Sequence, residues 1–416
     1  MRLGKRGPGL AVALYFGFKI ALGAAILIAS AQWMTVASFA VFSQLLILIA
    51  YLASIGTAGV QNGLIRQIAA ADSDAVVIGR EVRAALSIWA VVAIIALCGS
   101  WLLRDEIAVL LTGAREVAWV VPWLALLAMW SGLGQLLCSV LTGTGRAGAA
   151  LLAQGIGLLA GTLPALMLLH RGLPAGAAMV FTAGQGATTL LAAANIAPIL
   201  RCAWHYRGPV RPEIGRLLAF SGAFLATASI MPLTLIGLRS IYRTAFGLDA
   251  LGYWLAANRI SDVNTQLLGL YMVQVFLPAM ARAPNGEQRR LAFRTAAVAL
   301  GVMALPLLVF LAAPSFVIRT FLSAKFLPAS AFFAAYFLGD MLRVGASVAA
   351  FSALAHARLK LYVGLEAAAA MLMAAFVVTL SLARRPIAPA IAYVASYGLI
   401  FLAAAMFLAR RRRAAS

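Results

Sequence analysis

Nine side chains in this sequence carry chemistry at odds with the apolar runs that contain them: Lys19, Asn258, Arg259, Asp262, Asn264, Gln266, Asp340, Arg343 and Glu366. Lys19 interrupts its run about midway, with Tyr15 one turn earlier on the same helical face. Asn258, Arg259, Ser261, Asp262, Asn264, Thr265 and Gln266 form the most polar stretch within any apolar run. Arg259 and Asp262 are spaced i, i+3, and Asp340 and Arg343 repeat that spacing in reversed order. Glu366 stands one run further on, beyond Tyr362. Fixed cations in such surroundings can hold an anionic headgroup, the acids can trade partners with them or take up a proton, and the amides can bond hydroxyls.

Each feature also has a structural alternative. Lys19 could pair with an acid elsewhere or snorkel to an interface, although its central position disfavours the second. Either i, i+3 pair could be a self-contained ion pair, and Glu366 could pair with Lys360 or Arg358. The polar block cannot face lipid, so it must line a wet cavity or a helix interface. The two pairs and Lys19, at similar depth, predict a charged central chamber of net positive character. No metal site is expected: Cys98, Cys138 and Cys202, with His170, His205 and His356, show no ligand spacing.

The elements that position these residues are membrane-spanning helices. Hydrophobic residues make up 64% of the 416, and charged ones only 11%, against about 25% in ordinary soluble domains. Apolar runs near 9–32, 36–60, 82–103, 117–140, 149–170, 175–200, 215–238, 250–278, 291–313, 330–355, 360–382 and 387–409 are each long enough to cross about 30 Å of hydrocarbon. The fold class predicted is an all-α polytopic membrane protein with about twelve transmembrane helices. The net charge of +21 sits in short gaps between runs, which fixes orientation and does not suggest nucleic acid. With a cytoplasmic N-terminus, 21 of the 33 Lys and Arg residues fall on the cytoplasmic side and 9 opposite. Both termini are then cytoplasmic, and the first run reads as a retained span.

The gap near 201–214 divides the spans six and six, which predicts lobes 1–208 and 209–416 in parallel orientation around a central cavity. Arg239 and Arg243 read as interfacial anchors, and Arg410 to Arg413 as an anchor to anionic lipid. Gly59/Gly63 and Gly157/Gly161 have the spacing of close helix packing. There is no nucleotide-binding motif and no expected cofactor.

Several segments together carry a family likeness. Gly252-Tyr-Trp through Ile260-Ser-Asp262, Phe276-Leu-Pro278, Arg282, Lys325-Phe326, Gly339-Asp-Met-Leu-Arg-Val-Gly-Ala346, Leu361-Tyr-Val-Gly-Leu-Glu366 and Lys19-Ile20 resemble the Wzx-type polysaccharide flippases. These belong to the multidrug/oligosaccharidyl-lipid/polysaccharide exporter superfamily. The likeness is densest over 250–370. It implies two six-helix lobes around a cavity and a substrate of undecaprenyl-pyrophosphate-linked oligosaccharide, such as an O-antigen, common-antigen or exopolysaccharide repeat unit. It further implies passage from the cytoplasmic to the periplasmic leaflet of the bacterial inner membrane, without enzymatic chemistry. Membrane lipid would be its surroundings, and a polysaccharide polymerase and a chain-length regulator its expected partners.

On that reading Lys19, Arg259 and Arg343 hold pyrophosphate, Asn258, Asn264 and Gln266 bond sugar, and Asp262, Asp340 and Glu366 switch charge. Arg343 stands where enterobacterial members carry Lys, and Arg259 where they carry a small polar residue. Both changes keep or add positive charge but leave sugar specificity open. A proton- or sodium-coupled drug antiporter of the same superfamily would share the fold but should have a net negative cavity. A membrane-bound polysaccharide polymerase or ligase should display a sizeable outward loop with reactive groups.

Overall fold

In bilayer hydrocarbon a backbone must satisfy its own polar groups, and the apolar runs do so as helices. The computed structural model describes residues 7–410 except 58, 72–73, 207, 273–275, 277–278, 281–283 and 356–358. Arg2, Lys5, Arg6, Arg207, Leu277, Pro278, Arg282, His356, Arg358 and Arg411 to Arg413 lie outside the described residues, as do the side chains of Lys360 and Arg410.

The helices are α1 (Gly7–Trp33), α2 (Val36–Gly56), α3 (Val60–Ala70), α4 (Ala75–Leu102), α5 (Arg104–Thr112), α6 (Val120–Gly143), α7 (Ala147–His170), α8 (Pro174–Gln185), α9 (Ala187–Asn195), α10 (Ala197–His205), α11 (Arg211–Phe246), α12 (Leu248–Tyr271), α13 (Asn285–Ala312), α14 (Pro314–Phe321), α15 (Ser330–Ala355), α16 (Leu359–Leu382) and α17 (Ala388–Arg410). Ten segments among the described residues are long and apolar enough to cross a membrane. The pairs α2–α3 and α8–α9 each count as one of these. Helices α11, of 36 residues, and α12, of 24, have the length for two further crossings. The protein is an all-α polytopic membrane protein.

The spans follow the apolar runs, with physical exceptions. The second span reaches Ala70 and breaks where Gly59 takes φ 67°, left-handed backbone that favours glycine. Gly59 therefore interrupts the helix. Helix α4 starts at Ala75, ahead of the expected 82, because the Asp74 carboxylate accepts from the Val76 and Val77 amides at 2.8 and 3.3 Å. That start brings Arg80 and Glu81 into the helix. Helix α11 runs on to Phe246, so Arg239 lies within it. The expected pairing of α7 with its neighbour through Gly157 and Gly161 holds. A Cβ on Gly161 would strike the Phe181 carbonyl, and one on Gly157 the Thr188 hydroxyl.

The chain forms two compact units. The first contains Met1–Met34 and Val41–Ser229, the second Thr35–Ala40 and Ile230–Ser416. In the first, α6 packs against α3, α4, α7, α8 and α9 over a core that includes Leu64, Val82, Leu137 and Val140. Its α4 end carries an ion cluster. Arg216 reaches Glu81 at 3.0 Å and Glu213 at 3.2 Å, and Arg80 reaches Glu213 at 3.0 Å. Both carboxylates are buried. In the second unit α15 is the central helix, packed on α12, α13, α16 and α17. The Thr35–Ala40 turn belongs here too. Val36 lies so close to Gly252 that a Cβ there would sit 2.5 Å from its Cγ1, and the Phe39 ring meets Phe326 edge-on.

Candidate functional site

The site is built on the central helix of the second unit. Tyr336, Asp340, Arg343 and Ser347 recur at i, i+4, i+7 and i+11 on α15, which puts them on one face. The Asp340 carboxylate is fully buried and is held by donors from two other helices. Ser261 Oγ donates to Oδ1 at 2.6 Å, Asn264 Nδ2 to Oδ2 at 3.4 Å, and Tyr393 Oη to Oδ1 at 2.9 Å. Arg343 Nη1 donates to the same tyrosine oxygen at 3.4 Å, so Tyr393 stands between the acid and the cation. The predicted i, i+3 ion pair is thus relayed through a phenol. The Arg343 guanidinium also lies over the Tyr397 ring, 5.6 Å from its centroid.

Beside this network lies a cavity of about 460 Å³, lined by residues that include Asp262, Gln266, Arg343, Tyr362, Glu366 and Tyr397. Asp262 and Glu366 are both within electrostatic range of Arg343. This pocket, lined by the second unit, sets two carboxylates against one guanidinium and is not the net-positive central chamber that the sequence predicts. Of the other predicted cations, Lys19 belongs to the first unit and Arg259 is not in the lining.

A second buried network runs the other way along α12. Arg239, only 3% exposed, donates to Asn258 Oδ1 at 2.5 Å, and its guanidinium sits over Trp254 at 5.7 Å. The Trp254 indole donates to the Tyr336 hydroxyl, and the Tyr336 ring stacks on Tyr393 at 4.7 Å. This corrects the reading of Arg239 as an interfacial anchor. It also occupies the carbonyl of Asn258, a residue expected to bond sugar.

Of the nine sequence candidates, Asp262, Gln266, Arg343 and Glu366 thus line one pocket, and Asp340 with Asn264 forms its buried support. Asn258 serves Arg239, and Arg259 lies in range of Asp262. Lys19 is exposed on α1 of the first unit. Tyr336, Tyr393 and Tyr397 were missed, yet their spacing marks them: Tyr393 and Tyr397 are one turn apart, and Tyr336 is one turn before Asp340.

The whole fold is shared with transporters. A structure described as an inward-facing multidrug resistance MATE family transporter of the MOP superfamily matches with TM-score 0.74 at 15% identity, over 96% of each chain. Lipid II flippase MurJ, in an inward closed conformation, matches with TM-score 0.74 at 14% identity, over 95% of this chain and 86% of that one. Residues 31–331 match the family model described as Polysaccharide biosynthesis protein, and the chain belongs to that family. It is 30% identical over 207 residues to the Lipid III flippases of Escherichia coli (strain K12) and Shigella flexneri. The matched segment is 48% of this chain and 49% of theirs, so the chain spans about half the length of the curated relatives it matches.

Proposed function

We propose that this protein carries undecaprenyl-pyrophosphate-linked oligosaccharide from the cytoplasmic to the periplasmic leaflet of the bacterial inner membrane, with both termini cytoplasmic. The observation that supports this most is a hydrated-scale pocket bearing Arg343 in a membrane helix bundle, in a chain related to Lipid III flippases. A pyrophosphate head bearing sugars cannot cross hydrocarbon unaided, and the polyprenyl tail has no reason to leave it. A polar path for the head alone meets both conditions. Arg343 offers a planar fork to phosphate, already oriented by Tyr393 and Tyr397. Lys19 and Arg259 supply further positive charge, and Gln266 and Asn264 offer amides to sugar hydroxyls. No covalent bond is made or broken, and the substrate leaves as it entered. A polymerase and a chain-length regulator would act on the delivered unit.

Two acids in the pocket favour a coupled cation. A pyrophosphate approaching Arg343 is repelled by the carboxylates of Asp262 and Glu366, and neutralising each removes its share of that repulsion. The combined change Asp262→Asn, Glu366→Gln should therefore strengthen substrate binding. The test of the function itself uses a strain lacking the protein. Lipid-linked oligosaccharide should accumulate on the cytoplasmic face, and wild type should clear it. Arg343→Ala and Lys19→Ala, inserted at normal levels, should not. Normal delivery of glycan by both variants refutes the assignment.

A further inference from the structure

The first unit carries a polar layer of which the sequence pointed only to Tyr15. Tyr15 Oη donates to Gln154 Oε1 at 2.8 Å, joining α1 to α7. Gln61 Nε2 donates to Gln135 Oε1 at 3.4 Å, joining α3 to α6. Cys138, one turn from Gln135, donates to the Ala150 carbonyl on α7 at 3.7 Å and lies in electrostatic range of both Gln154 and Tyr15, which places it between the two pairs.

Depth makes the layer more than scattered polarity. Tyr15 is eight residues from the Gly7 end of α1, and Gln61 nine from the Ala70 end of α3. Gln135 is eight from the Gly143 end of α6, and Gln154 seven from the Ala147 end of α7. The segment before α1 carries Arg2, Lys5 and Arg6, the α6–α7 turn carries Arg146, and α3 carries Arg66 towards this end. At 1.5 Å per residue all four lie about 12 Å inside the same edge of the bundle. All four side chains are half-exposed, a placement that lipid does not tolerate but a wet surface does. Among the described residues, the recorded bonds use one donor of Gln61 and the carbonyl of Gln135. The donors of Gln135 and the carbonyl of Gln61 remain for a ligand.

Lys19 stands exposed on α1, one turn deeper than Tyr15. Four residues of helix rise about 6 Å, a separation on the scale of one sugar ring. We infer that Tyr15, Gln61, Gln135 and Gln154 form a carbohydrate subsite that reads the sugar attached directly to pyrophosphate, with Lys19 on the phosphate. This rests on the flippase reading above. Amides and a phenol offer paired donors and acceptors, as sugar hydroxyls do, and carry no charge to hold an anion.

The experiment measures binding of two lipids by the purified protein in nanodiscs. One is undecaprenyl pyrophosphate, and the other is the lipid-linked oligosaccharide extracted from the deletion strain. Gln61→Ala and Gln135→Ala should each weaken the glycan-bearing lipid about tenfold and leave the bare lipid within about twofold. Gln154→Ala, which also strips Tyr15 of its partner, is paired with Tyr15→Phe so that a folding defect in one leaves the other readable. Equal weakening of both lipids, or of neither, overturns the subsite and identifies the layer as interhelical glue. If wild type binds neither lipid, the flippase reading itself falls, and the subsite with it.

Discussion

Asp340 accepts from three side chains on two neighbouring helices and touches no solvent. Removing it strands the hydroxyls of Ser261 and Tyr393 and the amide of Asn264, each of which costs about 1–3 kcal/mol when buried without a partner. Asp340→Ala should lower the unfolding temperature in detergent, while Asp340→Asn, which preserves volume and one acceptor, should lose much less. Tyr393→Phe is more selective. It removes the oxygen that joins Asp340 to Arg343, so substrate affinity should fall about tenfold with little change in unfolding temperature. A calorimetric binding titration beside a melting curve separates the two effects. At this scale the sequence was partly legible. A charged residue in an apolar run announces itself, and Asp340, Arg343, Asp262 and Glu366 were found that way. Partnership was not legible: Asn258 looked like any free amide until Arg239 proved to lie inside α11 and to use its carbonyl.

Helix spacing explains why these particular side chains meet. The turn-by-turn recurrence of Tyr336, Asp340 and Arg343 on α15 faces the matching recurrence of Tyr393 and Tyr397 on α17. Gly339 permits the approach, since a Cβ there would fall on the Tyr393 ring. Gly339→Ala should displace Tyr393 and weaken substrate binding as Tyr393→Phe does, with an added loss of thermal stability. The span pattern was legible because apolar length is dictated by bilayer thickness. Helix ends were not, because they depend on single capping groups such as Asp74. That misplacement hid the cluster of Arg80, Glu81, Glu213 and Arg216, whose basic members had been counted only as orientation charges. Glu213→Ala takes from Arg80 its carboxylate and leaves Arg216 with Glu81 alone. With Arg216 half-exposed and screened, the expected loss is about 1–3 kcal/mol, read as a lower melting temperature.

Across the molecule, about twelve spans were legible from the length of the apolar runs alone. The composition of the units was not, because nothing in an apolar run says which neighbour it packs against. The second unit includes Thr35–Ala40, from near the beginning of the chain, with Val36 against Gly252 and Phe39 against Phe326. This exchange bears on how the protein can be made. A gene cut after Ser229 would yield a C-terminal fragment with an unfilled notch at Gly252 and Phe326, so that half should be produced poorly by itself. Co-expression with the N-terminal fragment, or fusion of a short Thr35–Ala40 peptide, should rescue its yield. A fragment carrying Val36→Ala and Phe39→Ala should rescue it less.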